Sequence, residues 1–121
     1  IFGICHGMQI INKYFGGKIA SLQDSKKHVN NFHEINFLNP LFSNFFNDSK
    51  TVVNSYHNSF VESVADNFDI IAKSGDGNIE SIMNKQYKII GIMWHPERDI
   101  KHHTNTRINN NLIRLFFEYI K

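Results

Sequence analysis

The chain opens on an apolar run, Ile1-Phe2-Gly3-Ile4, which breaks at Cys5-His6-Gly7 and passes at once into Met8, Ile10, Ile11, Tyr14 and Phe15 at near-helical spacing. This change of period predicts a strand, a sharp turn and a helix of about ten residues that Gly16-Gly17 stops. Lys18 to Leu22 reads as a short strand, the polar residues 23–31 as a loop, and the alternation from Phe32 to Phe37 as a further strand before Asn39-Pro40 breaks the chain. Leu41, Phe42, Phe45 and Phe46 are spaced for a short apolar helix packed on the sheet. Strands follow at Thr51–Asn54, Asp69–Ser74 and Asn78–Met83, with Asp76-Gly77 as the hairpin turn between the last two. Ile89 to Trp94 is mostly apolar in both phases, as expected of a strand buried on both faces. From about Thr104 to Lys121, Ile108, Leu112, Leu115, Phe116, Tyr119 and Ile120 form one stripe, the mark of an amphipathic terminal helix.

Length and composition narrow the classes. At 121 residues the chain makes at most one domain, and its apolar and charged fractions are those of a folded globular protein. One cysteine excludes an internal disulfide framework, and no apolar run is long enough to span a membrane, so a reducing, cytoplasmic setting is expected, without a signal peptide. A net charge of +2 does not argue for nucleic acid. The local basic clusters, Lys26-Lys27-His28 and Arg98 with Lys101, His102 and His103, read as solvated surface. Seven histidines are many for this length, but they form no HExxH and no helical pair with a matching acid, and no cysteine pair accompanies them. Neither a metal nor another cofactor is expected, and a histidine-rich metal-binding or scaffolding module stands as the rival reading. Because Ile1 already lies within a strand, the chain is expected to be the C-terminal part of a longer domain whose N-terminal half is absent.

The chemistry concentrates at both ends of this pattern. Small residues around a nucleophile let a strand turn tightly into a helix and push the side chain outward; Gly3 and Gly7 flank Cys5 in this way. A thiol at a helix N-terminus lies beside unpaired backbone N–H groups and the positive end of the dipole, which favours the thiolate. The same N–H groups can receive an oxyanion, so His6 and Gly7 matter for their backbones. On the residues alone, Cys5 is equally a buried small apolar residue. Downstream, His95 follows the doubly buried strand and Glu97 lies two residues on, where extended backbone points both side chains the same way. A carboxylate so placed sets the tautomer of the histidine and leaves its other nitrogen to take a proton from a thiol.

Gly3-Ile4-Cys5-His6-Gly7-Met8-Gln9 together with Trp94-His95-Pro96-Glu97 resembles the class I glutamine amidotransferases and the related γ-glutamyl hydrolases. The likeness runs in motif order through nearly the whole chain, and Ser74 to Ile82 is similar to the D-G-x-[IL]-[EQ] hairpin of that family. It implies an α/β fold, the C-terminal part of a flavodoxin-like three-layer domain with a mixed central sheet. It further implies attack on the carbonyl of a small γ-glutamyl substrate, a glutamyl thioester, and release of glutamate. Carried over, Cys5 is the nucleophile, His95 the general base and then acid, and Glu97 its orienter. The His6 N–H is an oxyanion donor, Gln9 contacts the glutamyl head, the backbone of Asn31, Phe32 and His33 grips its charged ends, and His57 supports the site. The second oxyanion donor belongs to a glycine-rich loop in the N-terminal half, and Met93 departs from the glutamine found in many relatives. Val53 to Ser59 resembles the N-S-x-H-[HN] segment of the hydrolase branch, as does the pair His28 and His33. The narrower likeness is to the γ-glutamyl-CDP-amidate hydrolases of bacterial capsule modification, through Met93 to Arg98 and the approach to Leu112-Ile113, with the basic clusters meeting a nucleoside diphosphate. A glutaminase that supplies ammonia to a synthetase partner is the alternative within the family.

Overall fold

A computed structural model describes residues 1–21, 31–98 and 106–119. The elements run β1 (Phe2–Ile4), α1 (His6–Tyr14), β2 (Lys18–Ser21), β3 (Asn31–Phe37), α2 (Pro40–Phe46), β4 (Lys50–Ser55), β5 (Ser59–Ser63), β6 (Asp69–Ser74), β7 (Ile79–Asn84), β8 (Ile89–Ile92) and α3 (Thr106–Tyr119). A six-stranded sheet has the order β1-β8-β7-β6-β3-β4, and β2 pairs with β5 in a separate two-stranded sheet. β1 lies parallel to β8, with Ile4 opposite Ile92, whereas β8, β7, β6, β3 and β4 pair antiparallel in succession. The sheet is mixed, as expected for this α/β fold.

Helix α1 covers one face, with Met8 buried beside Ile82, Ile89 and Met93. It approaches so closely that a Cβ at Gly91 would stand 2.7 Å from the Met8 side chain, which is why a glycine interrupts an otherwise apolar strand. Buried Asn12 ties the helix to the small sheet, donating to the Ser63 carbonyl at 3.0 Å and accepting from the Ala65 N–H at 2.9 Å. On the other face Ile35, Phe37, Val53, Ile90, Ile92 and Trp94 pack with Phe42 of α2 and with Leu112 and Leu115 of α3. Of the stripe predicted for α1, Met8 is buried and Ile11 and Phe15 are partly so, whereas Ile10 and Tyr14 are exposed; in α2 Phe42 is buried and Leu41 and Phe45 pack against the same core, and the side chain of Phe46 lies outside the described residues. In α3 the stripe is observed at Leu112, Leu115 and Phe116; the side chains of Ile108, Tyr119 and Ile120 lie outside the described residues.

The hairpin at Asp76-Gly77 is formed as expected, with Gly77 at φ 87° and its N–H donating to the Ser74 carbonyl at 2.9 Å. β5 is the strand the pattern did not reveal; only Val61 in it is buried, and pairing with β2 supplies its order. Ile89 to Trp94 is a strand only to Ile92, all of it buried, before the chain bends toward His95. Leu22, Lys26, Lys27, His28, Lys101, His102 and His103 lie outside the described residues. Among the described residues no helix is long and apolar enough to cross a membrane.

Candidate active site

The site starts where parallel β1 and β8 end together. Cys5 caps α1 at φ 49° and ψ −105°, a left-handed conformation that costs a non-glycine residue on the order of 1–3 kcal/mol. Its N–H donates to the Ile92 carbonyl at 2.7 Å, so the elbow is pinned to the end of β8. Gly3 is required by the return of the helix: a Cβ there would stand 2.6 Å from Ile11 and 3.0 Å from the backbone of Gly7 and Met8. At Gly7 the structure corrects the expectation, since a Cβ would meet nothing within 4 Å.

The thiol also departs from the expected electrostatics. Burial pushes the Cys5 pKa up, and this outweighs the hydrogen bond from the His6 backbone N–H and the attraction of Arg98, while Glu80 and Glu97 add to the rise. The helix end therefore does not lower the Cys5 pKa on balance, because burial of the thiol outweighs it.

His95 and Glu97 meet as predicted, by a different backbone route. Pro96–Arg98 is one turn of 3-10 helix rather than extended chain, and His95 Nδ1 donates to Glu97 Oε1 at 2.5 Å. With Nδ1 so engaged, Nε2 is the nitrogen that remains for proton transfer. Partial burial raises the Glu97 carboxyl, but the His95 hydrogen bond, with help from its own backbone N–H and the nearby charges of His95 and Arg98, brings it below the usual carboxylate range. The Tyr56 ring stands edge-on to the His95 ring at 5.6 Å between centroids, and the Arg98 guanidinium lies 4.9 Å above Tyr56.

A groove of about 470 Å³ runs along the exposed side of the elbow helix, lined by His6, Gln9, Lys13, Asn58 and Ser59 over Ile10 and Ile19. His6 and Gln9 are brought together there, with His6 Nδ1 and Gln9 Oε1 3.4 Å apart. Asn31, Phe32, His33 and His57 do not line this groove. Asn31 turns its side-chain oxygen to the Phe32 N–H at 2.8 Å. His33 and His57 face inward instead, each placing Nε2 3.4 Å from Oε1 of buried Glu80.

Residues 1–97 match the Peptidase C26 family, which is class I glutamine amidotransferase-like. The chain belongs to this family. The γ-glutamyl-CDP-amidate hydrolase of Campylobacter jejuni is 31% identical over 121 residues, covering 100% of this chain and 52% of the relative. The glutamine-hydrolyzing GMP synthase subunit of Methanobrevibacter smithii is 36% identical, with 100% of this chain and 60% of the relative covered. The chain thus spans between about half and three-fifths of the length of these relatives. A candidate GMP synthase subunit of Thermoplasma acidophilum superposes with a TM-score of 0.76 at 22% identity, over 98% of this chain and 58% of that one. A glutamine amidotransferase of Thermotoga maritima gives 0.68 at 15% identity, over 99% and 50%. These likenesses are of fold.

Within this Peptidase C26 domain, Asn54 and Glu80 were not singled out as site residues by sequence reasoning. Asn54, fully buried at the end of β4, donates to the His95 carbonyl at 2.7 Å and to the Arg98 carbonyl at 3.3 Å, and accepts from the His95 N–H at 2.7 Å. One side chain thereby brackets the turn that carries His95 and Glu97. Trp94 anchors the same turn from the other side, donating from Nε1 to Asn109 of α3 at 3.1 Å. The signal for Asn54 was present in its place before Ser55-Tyr56-His57; its partner lies 41 residues away, so spacing could not reveal it.

Proposed function

We propose that the protein carrying this chain hydrolyses a γ-glutamyl C–N amide bond through a thioester on Cys5. The observation that carries this reading is the strained Cys5 elbow at the end of β1 beside a carboxylate-held histidine at the end of its parallel neighbour β8. In the reaction, His95 Nε2 takes the thiol proton as Sγ attacks the γ-carbonyl carbon, and the His6 N–H meets the developing oxyanion. Collapse breaks the C–N bond, with the nitrogen leaving on the proton held by His95. Water then loses a proton to His95, attacks the thioester carbon, and releases glutamate and the thiol.

The groove at His6 and Gln9 suits the glutamyl head, and the hydrolase branch, releasing an amine or an amidate such as that of CDP, is the reading we favour. The GMP synthase relatives support a second one, in which the leaving group is ammonia and a synthetase partner receives it. In both, the N-terminal half of the domain completes the site. Among the described residues β1 is paired on one side only, and exposed Ile1, Ile10 and Tyr14 lie on its flank. The test is to offer the intact protein L-glutamine and γ-glutamyl-CDP-amidate separately and to measure glutamate. Glutamate from the amidate alone supports the hydrolase; glutamate from glutamine, rising with a synthetase present, supports the ammonia donor. Release from neither sinks the proposal.

A further inference from the structure

Glu80 is a fully buried carboxylate with two histidines on one of its oxygens, and no step above uses it. It adjoins the nucleophile through the backbone: the Cys5 N–H donates to the Ile92 carbonyl at 2.7 Å, and the next residue, Met93, donates to the Glu80 carbonyl at 2.8 Å. The proton positions follow from His57. Its Nδ1 lies 2.8 Å from the Ser59 carbonyl, which can only accept, so Nδ1 carries a hydrogen. A neutral His57 would then turn the lone pair of Nε2 onto Glu80 Oε1 at 3.4 Å, two acceptors face to face in a dry site. A proton must lie between them, making the pair neutral overall. His33 approaches the same oxygen from β3 at 3.4 Å, with its side chain 15% exposed.

We propose that His33, Glu80 and His57 form a proton-holding cluster that masks a carboxylate beside the nucleophile, so that the charge of this cluster, together with His95 and Glu97, sets how readily Cys5 forms its thiolate. Glu80 is then a positioning residue that acts through its field. Among the described residues, the charges that act on Cys5 are Glu80 of β7 and Glu97 and Arg98 after β8, with the His6 N–H bonded to it; those placed against Glu80 include His33 of β3 and His57 beyond β4. Removing the shared proton leaves a bare charge that opposes the thiolate, whereas removing the carboxylate takes away the negative pole of the pair and leaves its positive one.

The inference rests on the Cys5 reading above, and its test needs no turnover. Alkylation of Cys5 by iodoacetamide in the intact protein, followed by mass spectrometry of its peptide across pH, reads thiolate formation directly. His57→Gln is expected to slow alkylation at pH 8 by about threefold or more, a shift of roughly half a pKa unit, and Glu80→Gln to speed it by a similar factor. A purely structural role cannot move the two in opposite directions. Circular dichroism checks folding, and His33→Gln, on the partly exposed side, should slow alkylation with the sign of His57→Gln and a smaller size. Parent-like profiles in the folded variants, or shifts of one sign for Glu80→Gln and the histidine variants, would overturn the proposal. A protein inactive on γ-glutamyl substrates that still shows the opposed shifts would remove the catalytic reading and leave the cluster standing.

Discussion

The His95–Glu97 pair and the His33–Glu80–His57 cluster combine the same two side-chain types near Cys5 in different surroundings. Glu97 is about half exposed on a short turn, where water screens its charge and its histidine has one ring nitrogen in reserve. Glu80 is fully buried with His57 alongside, and both ring nitrogens of His57 face protein groups. The first pair has what a general base needs, a ring nitrogen in reserve on a histidine held by a solvent-screened carboxylate, whereas the second confines its carboxylate to a low-dielectric interior. On the proposed reading, turnover belongs to the first and a standing charge balance to the second.

The comparison breaks first at the nucleophile they share. Cys5→Ala is expected to lower γ-glutamyl hydrolysis by a factor on the order of 10⁴ or more while substrate binding persists, measured by glutamate release and by calorimetry. Turnover near that of the parent would remove the reason to compare the clusters. Glu97→Gln comes next, with a loss in kcat of roughly 10²-fold and little change in KM, because it acts on the tautomer and on the imidazolium charge; its half-exposed setting makes the effect smaller than for a buried triad acid. An equal rise in KM would instead place Glu97 on the substrate.

Asn54→Ala sharpens the contrast, since it removes the bracket around His95 without touching either carboxylate. A stability loss of about 1–3 kcal/mol is expected from the buried groups left unsatisfied, with kcat falling more than KM rises, read by urea denaturation and steady-state kinetics. The smallest effect is on acid stability. Burial raises the Glu80 carboxyl, yet the hydrogen bonds and charges of His33 and His57 outweigh it and hold it below its ordinary value. The unfolded chain therefore takes up this proton first as pH falls; the stabilisation is full above the unfolded value and is lost as pH drops through the folded one. The urea-midpoint gap between the parent and Glu80→Gln should narrow as pH falls below about 4.5, the ordinary value of the unfolded carboxyl, and a gap that stays constant there would mean that Glu80 carries no charge in the folded chain.

What could be read in the chain depended on whether order was local. The bounds of β6 coincide with the predicted Asp69–Ser74, and Cys5, His95 and Glu97 stood out because an elbow and a two-residue spacing are written in consecutive positions. β5 escaped because its partner β2 lies some forty residues back and only Val61 is buried, so neither strand presents a full apolar face. Glu80 looked like one position in a hairpin, since its burial depends on His33 and His57, which β3 and the segment beyond β4 bring from elsewhere. The thiol failed differently: the helix end was legible, but the burial that outweighs it is a property of the packed fold.

The Asn54 bracket joins places that the sheet order holds apart. β4 is the far edge strand, four pairings from β8, or about 19 Å at the usual strand spacing, yet its last residues grasp the turn that leaves β8. Such a bond can close only if the sheet curls until its far edge returns toward the first, so the position of His95 is a sum over every intervening pairing. The register shifts between β6 and β7, at Ile70 to Lys73, lie within that sum and set part of the curl. A change of register or twist in any of these strands, remote from the turn itself, would displace His95. On the proposed reading, the alignment of the base is in that sense a tolerance shared by five strands.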